Sequence, residues 1–196
     1  NTGYENSGVN QILRLVHVEE VGYDEFGFDW DITLDRLTLK NDGYMDQVHT
    51  LREAHRADVV VLLVDDYTYC GLAWLMTTVS PTFAAKAFSL VNWDCATGLY
   101  SFAHEIGHNM GSHHDWATTD DIGAFPYSKG YQAPNGAFRT IMAYDCPGGC
   151  TRINYWSNPE VFYKGQPTGR EYQAPQPAEV GGAGPQLDGA AGHEQA

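Results

Sequence analysis

The sequence predicts an α+β fold: a mixed sheet with helices packed on it, followed by an irregular second half. Three observations point there. The run ADVVVLLVDD (57–66) is continuously apolar between acids, as a buried central strand is. DGYMDQVHTLREAHRAD places Met45, Val48, Leu51 and Ala54 at helical spacing. Beyond Gly111 the periodicity fades, and residues 112–170 are rich in Gly, Pro, Asn, Tyr and Trp.

Taken in order, ILRLVHVEEV (12–21) gathers Ile, Leu and Val in a strand-like way. The helical pattern and the apolar run at 57–66 come next. GLAWLM (71–76) reads as a short edge strand, and AFSLVNWDC (87–95) as a second buried one. Thr97 stands where it can cap the next helix. One domain is expected over 1–170, with an upper half to about 111 and a lower half from about 112. Residues 171–196 carry few large apolar side chains and are expected to be weakly ordered.

At 196 residues and 43% hydrophobic, the chain can bury one good core. A net charge of −14 with only 11 Lys plus Arg argues against a nucleic-acid partner, because phosphate binding needs clustered cations. No apolar run is long enough to span a bilayer, so no membrane partner is expected. No cleavable signal is visible at NTGYENSGVN, so an exported protein would be represented here by its processed form. The chain is expected to be a monomer. Four cysteines permit three pairings, of which Cys70–Cys95 and Cys146–Cys150 are favoured, the latter closing the tight CPGGC turn. An even count fits an oxidising, extracellular setting.

The chemistry concentrates in HEIGHNMGSHHD (104–115). His104 and His108 are four apart and share one helix face, with Glu105 beside them. Gly111 falls where a helix can end in a left-handed residue. The chain can then turn back and offer His114. Three His ligands and an open fourth position describe catalytic zinc, whereas structural zinc is closed by four ligands. By composition, a chance match to this pattern is on the order of one in ten thousand for a chain this long.

With Met142 in RTIMAYDC downstream, the motif resembles the metzincin zinc endopeptidases. The resemblance implies one zinc on His104, His108 and His114, with Met142 as the hydrophobic base beneath it. It also implies a cleft between an upper half and an irregular lower half. His113 is passed over as pocket rim or solvent-facing. Asp115 directly follows the third ligand, as in the reprolysin-like branch, and is expected to hold the loop to the methionine turn. Tyr144 stands two residues after Met142, a spacing that resembles astacins and serralysins, where a tyrosine reaches the metal or the oxyanion. A buried structural tyrosine is the competing reading.

Over about 9–169 the chain is most similar to the bacterial reprolysin-like group. RTIMAYDCPGGC and RINYWSNP (152–159) resemble the peptidyl-Asp metallopeptidases, which cleave on the amino side of aspartate. A carboxylate-reading pocket needs a local cation. Arg139 and Arg152 are the candidates and Lys129 a weaker third, the alternative being that each merely ties a loop.

The expected function is thus a secreted zinc endopeptidase acting on proteins or peptides, with Glu105 as general base and a preference for Asp after the cleaved bond. Two alternatives compete. An inactive metzincin-like binding module would be expected to lose Glu105 or a ligand; neither is missing. A zinc amidase acting on a non-protein amide is undecided by the loops. Calcium on Asp65–Asp66 or Asp120–Asp121 is conceivable but has no other support in the sequence.

Overall fold

The computed structural model describes residues 1–172 and the backbone of 193–195. It contains helices α1 (Thr2–Asn6), α2 (Trp30–Thr38) and α3 (Gln47–His55), then strands β1 (Val60–Val64) and β2 (Gly71–Trp74). A 3-10 turn (Pro81–Lys86) leads to β3 (Phe88–Asn92), α4 (Cys95–Gly98) and α5 (Ser101–Asn109). Two-residue strands follow: β4 (Phe138–Arg139), β5 (Thr151–Arg152), β6 (Phe162–Tyr163) and β7 (Gln166–Pro167), with β8 (His193–Gln195) last.

The main sheet has the order β1-β3-β2-β8; β1 runs parallel to β3, and β2 is antiparallel to both its neighbours. The central, fully buried strand is therefore β3, while β1 is half-buried at the outside. This reverses the expectation for 57–66. A continuous apolar run allows burial on both faces without securing it, and here Leu63 is 52% exposed. β2 is no edge strand among the described residues either, because β8 lies along its outer side. Residues 12–21 form no strand. Ile12, Leu15 and Val18 stay 76–79% exposed, so local β-propensity found no backbone partner there.

Helix α2, for which the sequence analysis gives no expectation, carries clear local signals. Asp29 caps it by accepting from the Ile32 amide at 2.9 Å, and Trp30, Thr33, Leu34 and Leu37 bury one face. Trp30, Leu34 and Leu37 join Met45, Val48, Val64, Leu72, Phe88 and Leu90 in the main core. Thr97 caps nothing: it sits inside the short α4, and α5 instead starts from Tyr100 in the left-handed region. Both favoured disulfides are formed, Cys70–Cys95 tying the start of β2 to α4 and Cys146–Cys150 closing the CPGGC turn.

The first seven residues pack on the far half of the chain. Tyr4 stacks on Trp156, the Asn6 amide donates to Asn154 O, and Ser7 Oγ accepts from the Trp156 amide at 2.7 Å. A cut at residue 111 thus divides the sequence but not the packing. The expectation of weak order concerned 171–196; residues 173–192 and 196 lie outside the described residues, and the backbone of 193–195 is paired with β2. No described helix is long and apolar enough to cross a membrane.

Candidate metal centre

Helix α5 is buried along most of its length, between the sheet and the lower half. Its end is tied to the sheet. The Asn109 amide donates to Trp74 O at 2.9 Å and Phe88 O at 3.2 Å, and the Met76 amide donates to His108 O, a helix-end carbonyl that needs a partner. Gly107 lets two side chains reach the helix backbone: a Cβ there would collide with Met142 Sδ and stand 2.9 Å from the Trp156 ring. A mid-helix glycine costs roughly 0.5–1 kcal/mol, and close packing is what it allows here.

His104 and His108 project from one face of α5. The chain reverses at Gly111, whose φ of +88° is open to glycine and strained for other residues. It returns as a short bridge pairing His113 with Lys129, which delivers His114. The three Nε2 atoms converge at 3.0, 3.1 and 3.1 Å from one another, with every ring buried. Among the described residues this is the only such gathering of three or more His, Cys, Asp or Glu side chains. The Asp65 and Asp66 carboxylates instead accept from the indoles of Trp93 and Trp30.

The tautomers test whether a cation fits. His104 Nδ1 faces Ile141 O at 2.8 Å and His108 Nδ1 faces Ser112 O at 3.0 Å. A carbonyl only accepts, so each Nδ1 carries the proton and each Nε2 presents a lone pair toward the other ring. Burial above all, then the neighbouring imidazoles, holds both rings well below the usual histidine range. Neutral rings with converging lone pairs repel one another until a cation joins them. Ligand nitrogens on a tetrahedral zinc are separated by about 3.3 Å, close to this spacing. The residues fit the ion.

Glu105 is fully buried beside the triad and lies flush against β2: a Cβ on Gly71 would stand 2.6 Å from its carboxyl carbon. Gly71 is a site residue that the motif did not reveal, because the two are far apart in sequence. Met142 is buried beneath α5, in a turn closed by the Ala143 amide on Thr140 O. Tyr144 sets its ring 4.2 Å from that of His114. Asp115 Oδ2 accepts from the Tyr144 amide at 2.9 Å and from Thr118 Oγ1, and Oδ1 accepts from the Ala117 amide. This carboxylate joins the third-histidine loop to the segment after Met142. His113 is fully buried rather than rim or solvent-facing, since its backbone pairs with 128–130 and its Nδ1 accepts from the His114 amide.

Both arginines reach this segment. Arg139 Nη1 donates to Ala143 O at 2.9 Å and its Nε stands 3.6 Å from Asp145. Arg152 donates to Leu99 O and Ala143 O, so it bridges the entry to α5 and the wall after Met142. Burial, then the charge of Arg139, pushes Arg152 down to about 10. Lys129 is engaged by Thr119 O, Asp121 O and the Trp116 ring.

Three imidazoles on a helix and its return loop, with a buried carboxylate alongside, form a three-histidine cluster able to hold a metal ion. The chain belongs to the metallo-peptidase family M12, whose model matches residues 1–157. A Pseudomonas fragi protein named peptidyl-Asp metalloendopeptidase is 36% identical, covering 83% of this chain and 84% of that protein. Relatives of the same name from Xanthomonas campestris pv. campestris and Stenotrophomonas maltophilia strain R551-3 are each 49% identical over 86% of the chain. The chain spans only 39% and 40% of those two proteins. No solved structure matches it.

Proposed function

We propose that the chain is a secreted zinc endopeptidase that prefers aspartate just after the cleaved bond. The observation that carries the peptidase reading is the set of converging Nε2 atoms beside the buried Glu105, in a chain of this family. His104, His108 and His114 hold the ion, and the Thr140–Ala143 bend acts as the methionine turn beneath it. When bound, zinc supplies a Lewis acid that polarises the scissile carbonyl and acidifies water. Glu105 accepts the proton of the attacking water at its carboxylate and passes it to the departing amine, as the C–N bond breaks and the C–O bond forms. The Tyr144 hydroxyl donates to the developing oxyanion. Asp115 keeps Tyr144 in register with His114.

The aspartate preference is supported by the names of the relatives; Arg139 and Arg152 stand at the segment after Met142, where their bonds to Ala143 O also tie that loop. Arg152 is the better reader. It also donates to Leu99 O, which places it between the entry to α5 and the segment after Met142. Export is supported by the two disulfides. Metal analysis should return one zinc per chain, with activity lost to a chelator. Mass spectrometry of a proteome digest should then locate cleavage before Asp. Arg152→Ala should lower the Asp-to-Leu cleavage ratio by at least about tenfold; an unchanged ratio removes Arg152 from the pocket, and cleavage before apolar residues removes the preference itself.

A further inference from the structure

The outer edge of β2 borders the proposed chemistry. Gly71 begins the strand and abuts Glu105, while Met76, just past its end, bonds the carbonyl of His108. An extended polypeptide paired with that edge therefore lies beside a strand that abuts Glu105 at its start and bonds His108 O just past its end. Such an edge is a row of backbone donors and acceptors that any chain can satisfy, whatever its side chains. In this molecule the row is already satisfied. Residues His193–Gln195 pair with it antiparallel, Trp74 opposite His193, Ala73 opposite Glu194 and Leu72 opposite Gln195. In the direction from His193 to Gln195 the pairing advances toward Gly71, and so toward Glu105.

We propose that His193–Gln195 is an autoinhibitory strand, an intramolecular competitor of extended peptide for the β2 edge. This rests on the peptidase reading above only in naming the displaced peptide as substrate. Three residue pairs bind weakly by themselves. The tether compensates, because a linked segment acts at an effective concentration of about millimolar. The 20 residues from 173 to 192 join this strand to the rest of the chain and supply that tether. If the paired state leaves about a tenth to a third of molecules open, apparent peptide affinity falls about threefold to tenfold.

The test uses the whole chain with Glu194→Pro or Gln195→Pro. Neighbouring residues of a strand point their N–H groups to opposite sides, so one of the two prolines must delete a donor facing β2. In the metal-free protein, hydrogen exchange at the amides of Leu72–Trp74 is expected to quicken in at least one variant. In the Glu105→Gln background, which is expected to bind without cutting, a fluorescent decapeptide with one central Asp should bind about threefold to tenfold more tightly to the same variant. The pentapeptide GHEQA, added in trans above the tether's effective concentration of about millimolar, should reverse that gain. Unchanged exchange in both variants overturns the contact, and faster exchange with unchanged affinity overturns the competition. If zinc-loaded wild type cuts no peptide while the affinity gain is seen, the peptidase reading falls and the competition stands.

Discussion

The chain before Gly111 and the chain after it are stabilised in different ways. Before it, nine buried side chains, all but Met45 from helices and strands, form one cluster that includes Phe88 and Leu90. After it, the corresponding cluster has three buried members, Ala133, Phe138 and Ile153, bordered by tyrosines. What the lower half lacks in apolar contact it replaces with polar ties: Asp115 to Tyr144, Arg139 and Arg152 to Ala143 O, and Asp145 to the amides of Cys146 and Cys150. The three-histidine cluster takes two members from the first kind of structure and one from the second. Glu105 therefore stands on a buried helix, while the segment after Met142 is set by individual hydrogen bonds. Each can be perturbed without the other.

The largest effect should come from the upper core. Phe88→Ala removes a fully buried ring from the central strand and should cost about 3–5 kcal/mol, read as a lowered midpoint in denaturant. A loss below about 1 kcal/mol would show that the sheet is not the main source of stability. Next comes Glu105→Gln, expected to keep fold and zinc and to lower turnover at least ~10²-fold, about 2.7 kcal/mol in barrier. Near-normal turnover would put the base elsewhere.

Acid should act on the metal-free centre by a comparable amount. His104 and His108 have lowered pKa values when folded, so below about pH 6.5 the unfolded chain binds protons that the folded chain refuses. Their contribution is present above about pH 6.5 and is lost as pH falls toward the folded values. The slope is about 1.4 kcal/mol per pH unit for each histidine, and chemical denaturation of the metal-free protein between pH 7 and 5 measures it. A flat profile would mean that these rings charge freely in the native state.

Asp115→Ala probes the lower half. Losing the bonds to Tyr144 and Thr118 should cost about 1.5–3 kcal/mol and weaken zinc binding about 10-fold to 100-fold, by letting the His114 loop drift. If zinc affinity is unchanged, the loop is held by its pairing with 128–130 alone. Smallest is Tyr144→Phe, expected to lower kcat about tenfold with KM little changed. An unaltered kcat would leave Tyr144 as packing against His114.

Legibility in the sequence followed the same division. The triad and Glu105 were readable because their spacing is local, one helical turn and one glycine reversal. The helix at Gln47–His55 was readable for the same reason. The helix at Trp30–Thr38 could have been found from Asp29 and the apolar spacing after it. By contrast, strand order, the partner of Glu105 and the burial of His113 depend on residues far apart in sequence. Residues 12–21 carry a strand's composition and form none, because a strand exists only when another backbone pairs with it.

What the sequence by itself determined is therefore the local chemistry: which imidazoles can meet, which carboxylate stands beside them, where the helix must turn back. Side-chain identity and a period of 3.6 residues suffice for that. The tertiary structure alone decided that β3 is central, that Gly71 receives Glu105, that the first seven residues pack on 154–158, and that Arg152 spans Leu99 and Ala143. Each of these is a contact between distant segments, set by which surfaces exclude water best and which backbone groups find partners, and neither condition is written in the residues nearby.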